Sequence, residues 1–64
     1  MNGKEIIKIL VQNGWEVARV KGSHHIMKKE GMKPFPVPVH GKKDLGPGLL
    51  HVIEKTSGVN LKSK

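Results

Sequence analysis

Residues 15–29 read WEVARVKGSHHIMKK, and the reading of this stretch decides the fold. Trp15 to Lys21 is rich in residues that favour strands. Ser23 to Lys29 continues in the same manner after a Lys21-Gly22 pair. Two short strands around a glycine predict a β-hairpin, with Gly22 letting the chain turn tightly. Successive residues of a strand point to opposite faces, so the adjacent His24 and His25 separate. On an ideal strand His24 shares its face with Ile26 and Lys28, and Arg19 and Lys21 lie on the facing strand.

Working outward, Asn2 to Asn13 predicts a helix. Asn2 can cap it, with Glu5 three residues on in the capping-box position. Ile6, Ile7, Ile9, Leu10 and Val11 make a broad apolar face, and Gly14 supplies the left-handed residue that ends a helix. After the hairpin, Glu30-Gly31-Met32-Lys33 predicts a second turn. Pro34 to His40 then alternates Phe35, Val37 and Val39 on one face with Pro36 and Pro38 between them. Proline cannot donate to a ladder, so this strand is expected at a sheet edge. Gly41 to Gly48 is expected as a loop, and Pro47 suits the first turn of a helix. Leu49, Leu50, Val52 and Ile53 follow at helical spacing, with Gly58 as the stop and Val59 as its apolar contact. From about residue 60 the chain reads as a polar, fraying tail. The expected architecture is α+β: helix, three-stranded antiparallel sheet, helix (αβββα), with both helices on one face of the sheet. Residues 1–64 are expected to form a single domain.

Length and charge narrow the function. A 64-residue chain buries only about 60% of the surface its unfolded form exposes, so its core is small. It has no Cys, hence no disulfide and no thiolate ligand. Lys and Arg number 12 against 5 Asp and Glu, a net charge of +7. Such a field attracts polyanions, nucleic acid first and an anionic membrane surface second. No apolar run approaches the roughly 18 residues of a membrane span. The N-terminal stretch lacks a signal-peptide pattern. The expected location is the cytoplasm.

The four histidines do not form a metal site by spacing. His24 and His25 diverge, and no carboxylate or thiolate spacing supports His40 and His51. No metal, cofactor or small-molecule partner is expected. His25, His40 and His51 read as residues without a chemical task. His24 differs, because Lys28 is expected on its strand face and Arg19 and Lys21 on the facing strand. Cations disfavour a charged imidazole, and a neutral imidazole accepts a proton near neutral pH. Cations beside it hold a phosphate. These are the parts needed to cleave RNA: a base for the ribose 2′-hydroxyl and positive charge for the phosphorane. Ser23 has two open uses, a hydrogen bond to a phosphate or to the turn backbone. The group that protonates the leaving oxygen is also open among Lys28, His40 and water.

The N-terminal helix, Gly14-Trp15, Arg19, Gly22-Ser23-His24, Val37-Pro38-Val39-His40-Gly41 and the closing helix together resemble the HicA toxins of bacterial and archaeal toxin–antitoxin pairs. The resemblance covers nearly the whole chain, in order, and His24 falls on the family's catalytic histidine. It implies a double-stranded-RNA-binding-domain-like fold and a metal-independent mRNA endonuclease (an mRNA interferase) restrained by a HicB antitoxin. One departure is visible. Many members have Gly-Thr-Leu entering the second helix, where this chain has Gly48-Leu49-Leu50; the cap that a Thr hydroxyl would supply is missing. Two other readings compete. One is a non-catalytic double-stranded-RNA-binding module, which has no use for His24. The other is an interaction protein whose open sheet face docks a partner, which has no need of a +7 charge.

Overall fold

The computed structural model describes residues 1–41 and 43–61. Its elements are α1 (Gly3–Gln12), β1 (Glu16–Lys21), β2 (His24–Lys28), β3 (Phe35–Pro38) and α2 (Pro47–Ser57), with the strands antiparallel in the order β1-β2-β3. This is the αβββα arrangement expected from the sequence, with one sheet face packed and the other open.

The α1 start is the expected capping box. The Glu5 N–H donates to Asn2 Oδ1 and the Asn2 N–H to Glu5 Oε1, both at 2.9 Å. The buried stripe is narrower than the apolar sequence suggests. Ile6 and Leu10, one turn apart, are fully buried, Ile7 and Ile9 are half-buried, and Val11 is 50% exposed. After Asn13, Gly14 turns the chain at φ +94° and the Trp15 N–H returns to the Leu10 carbonyl. Lys29 Nζ donates to the Asn13 carbonyl at 3.1 Å, placing a cation at the negative end of the helix.

The hairpin closes at the Lys21–His24 pair, with Gly22 at φ +60° and Ser23 between them. Its register holds one irregularity that the sequence did not announce. Val17 pairs with Met27, but Arg19 pairs with Ile26, so Ala18 is an extra residue in β1. Strict alternation would put Val17, Arg19 and Lys21 on one face. The bulge resets the alternation. Val17 joins Met27 on the packed side, while Arg19 and Lys21 share the open side with Ile26 and His24.

β3 occupies an edge, as its prolines require. Phe35 and Val37, paired with Met27 and His25, are buried on the packed side, and Pro36 and Pro38, paired with Ile26 and His24, face the other way. The strand stops at Pro38, two residues short of the predicted run. The Val39 N–H still reaches the Ser23 carbonyl at 2.7 Å, tying the end of β3 to the hairpin turn. α1 lies close over this end: a side chain on Gly3 would strike the Pro38 carbonyl and come within 2.9 Å of Val39 Cγ2.

The core comprises Ile6, Leu10, Trp15, Met27, Phe35, Val37, Ile53, Val59 and Leu61. Trp15 and Phe35 meet edge to face, with centroids 4.9 Å apart. The α2 helix starts without a side-chain cap. Pro47 at its first position needs no N–H partner and has its φ preset, so the Leu49 departure does not prevent the helix. Ile53 is its buried apolar residue, while Leu49 and Val52 remain 37% and 55% exposed. The helix ends at Gly58 (φ +73°), and Val59 is buried beyond it as expected. Buried Ser57 is satisfied in both directions, donating to the Ile53 carbonyl and accepting from the Val59 N–H.

Two expectations need correction. The chain is not a free polar tail from residue 60: Leu61 is 3% exposed within the core, and its N–H donates to Glu54 Oε2 at 2.8 Å. Burying an isobutyl group outweighs the polar neighbours that dominate the composition there. The rest of that tail lies outside the described residues. The loop expected over Gly41–Gly48 is shorter, because Pro47 and Gly48 belong to α2, and its described residues are tethered. The Leu45 N–H donates to the Met1 carbonyl, Asn2 and Asp44 form an isolated bridge, and the Met1 amino group lies 3.3 Å from Asp44.

Candidate functional site

The pairing register sorts the charged side chains by face. Met27, Phe35 and Val37 are buried beneath the helices, so the face carrying His24, Ile26 and Lys28 is the open one. Directly paired residues hold their Cβ atoms about 4.5–5.5 Å apart on a shared face. Across this sheet, Lys21 stands opposite His24, and His24 opposite Pro38; one step along, Arg19 stands opposite Ile26, and Ile26 opposite Pro36. Arg19 is therefore the diagonal neighbour of His24, about 7–8 Å away by backbone geometry. The His24 side chain is exposed, as are Arg19 and Lys21. The described residues enclose no pocket, so the imidazole sits on an open surface.

The sequence-predicted residues do not all converge. Lys21, Arg19 and His24 do. Lys28 is on the same face but four residues along β2, about 13 Å from His24 at strand rise, and it stands opposite Glu16. Gly22 has open space where a side chain would go, so its contribution is its left-handed backbone. Ser23 is half-buried in the turn, with its carbonyl committed to Val39.

The other histidines are dispersed. His25 is on the packed side between Val20 and Val37, and its Nδ1 is buried without a hydrogen-bond partner. His51 is exposed on α2, and His40 is exposed just past β3. Among the described residues no three His, Asp or Glu side chains gather. No helix among them is long and apolar enough to cross a membrane.

Sequence reasoning misses one part of this face. In the sequence Pro36 and Pro38 read only as edge markers, yet they form the third column of the face beside His24 and Ile26. Their alternation with Phe35 and Val37 is the available signal.

A three-stranded sheet with both helices on one side and a bare, cationic opposite side is a small α+β domain of the double-stranded-RNA-binding-domain type. Comparison with protein families is more specific. The family described as HicA toxin of bacterial toxin–antitoxin matches residues 3–59. The chain belongs to this family and is thus the toxin of a pair whose other member is an antitoxin. A search of curated proteins finds no match.

Proposed function

We propose that this toxin is an endoribonuclease that cuts mRNA, with His24 as its general base. The observation that carries the reading is the exposed His24 imidazole directly opposite Lys21 and diagonal to Arg19 on the open sheet face. The imidazole takes the proton of a ribose 2′-hydroxyl. The 2′-oxygen attacks the adjacent phosphorus, and Lys21 and Arg19 stabilise the charge that develops on its oxygens. The bond from phosphorus to the 5′-oxygen breaks, and that oxygen takes up a proton. The products are a 2′,3′-cyclic phosphate and a 5′-hydroxyl. Lys28 is too far along β2 to return the proton, which leaves His40 or water. Ser23 and Lys28 extend the phosphate contacts beyond the reacting centre.

The mRNA substrate implies the cytoplasm. The antitoxin, of HicB type by the resemblance of the chain, restrains the enzyme by presenting an acidic surface to Arg19, Lys21 and the face around His24. Electrostatic complementarity speeds such docking. A binding module for double-stranded RNA, with no chemistry, has no use for an imidazole in this row.

The test compares wild type with His24→Ala on a labelled RNA, with EDTA in both reactions. The wild type is expected to cut and the variant to leave the RNA intact while keeping the native circular dichroism spectrum. A single 2′-deoxy nucleotide at the scissile position should also block the wild type without blocking binding. Equal cleavage by the two proteins would remove His24 from the reaction.

A further inference from the structure

The open face is graded across its strands. Read from β1 to β3, one row is Lys21–His24–Pro38 and the next is Arg19–Ile26–Pro36. Each begins with a cation and ends with a proline ring. Pro36 is exposed, and Pro38 and Ile26 are half-buried. Strands lie about 4.7–4.9 Å apart, so cation and proline columns are separated by about 9.5 Å. A nucleotide has the same polarity over a comparable span: phosphate at one end, ribose in the middle, base at the other. Successive rows are about 6.7 Å apart along the strands, comparable with the phosphate repeat of an extended single strand.

Resting on the nuclease reading above, we propose that this face binds single-stranded RNA in one orientation: phosphates over β1 and unpaired bases over Pro36 and Pro38 on β3. The ribose then lies over β2, where His24 meets its 2′-hydroxyl. Pro36, Pro38 and Ile26 form a base-contacting subsite that tolerates any base, because each base offers a flat apolar face and none of these side chains reads a base edge. A paired duplex is excluded, since its bases are stacked on one another and turned away from the protein. The fold type is named for duplex binding, yet this face is arranged for splayed nucleotides. A uniformly cationic face would grip duplex and single strand alike through phosphates. The proline column distinguishes the two.

The experiment uses the full chain with His24→Ala, which binds without cutting. Its affinity is measured at one salt concentration for a short single-stranded RNA, the same RNA annealed to its complement, and the same RNA with one abasic nucleotide at successive positions. The single strand is expected to bind more tightly than the duplex. One abasic position is expected to lower affinity by about five-fold, the lower end of what a stacked base contributes. Adding Pro36→Ser should produce the same loss on intact RNA and no further loss on the matching abasic RNA. Should Pro36→Ser disturb folding, Ile26→Ala and the abasic series decide the matter. Equal affinity for duplex and single strand, abasic RNA bound as well as intact RNA, or no RNA binding at all would each overturn the subsite. Failure of the nuclease reading looks different: wild type leaves RNA uncut while the dependence of binding on bases persists.

Discussion

Lys21 and His24 close the β1–β2 hairpin as a directly opposed pair, and both side chains stand on the sheet face that the helices leave bare. The pairing brings a cation to the imidazole through backbone register alone. Lys28 shares a strand and a face with His24, yet the rise of that strand holds it apart, and it pairs with Glu16.

This difference in register predicts a difference in activity. Lys21→Ala is expected to slow cleavage by about 10²-fold, the scale of losing one positioned group that stabilises transition-state charge. Lys28→Ala should cost only a few-fold, through weaker RNA binding. Single-turnover rates on a labelled oligonucleotide at saturating protein give the ratio. Equal losses would show that nearness to His24 carries no weight.

Glycine substitutions should differ in sign. Gly3→Ala drives a methyl group against the Pro38 carbonyl and Val39 and is expected to destabilise by about 1–3 kcal/mol. Gly48 lies inside α2, and a methyl group added there meets nothing within 4 Å. Gly48→Ala should therefore stabilise by about 0.4–1 kcal/mol. Thermal melts separate the two, at about 4–8 °C per kcal/mol for a domain of this size.

Leu61 should behave as a core residue despite its polar surroundings. Leu61→Ala is expected to cost about 2–5 kcal/mol, whereas truncating the exposed Val52 to Ala stays within about 0.5 kcal/mol. Urea unfolding followed by Trp15 fluorescence measures both. A silent Leu61→Ala would mean that the burial of Leu61 adds nothing to stability.

His25 is expected to matter for stability and not for chemistry. His25→Ala should keep cleavage within a few-fold of wild type, because the side chain is on the packed face with Val20 and Val37. His25→Leu removes a buried Nδ1 that has no partner and should leave the melting temperature unchanged or raised. Loss of cleavage in a well-folded His25→Ala protein would contradict the assignment of faces.

Much of this molecule is decided by short-range rules that the sequence displays directly. Asn2 and Glu5 make a capping box from their own spacing, Gly22 permits the hairpin turn, and Pro36 and Pro38 confine β3 to an edge. The divergence of His24 and His25 follows from the two-residue period of a strand. These features depend on neighbours a few positions apart, so a linear reading reaches them. The bulge at Ala18 does not, because it is a relation between two strands: only the pairing of Val17 with Met27 and Arg19 with Ile26 reveals it. Burial is also a property of the assembled fold. Val11 and Val52 are as apolar as Ile6 and Ile53 yet face outward, while Leu61 is drawn into the core. The columns of the open face arise in the same way. Arg19, Ile26 and Pro36 are far apart along the chain, and only three strands in register set them in one row.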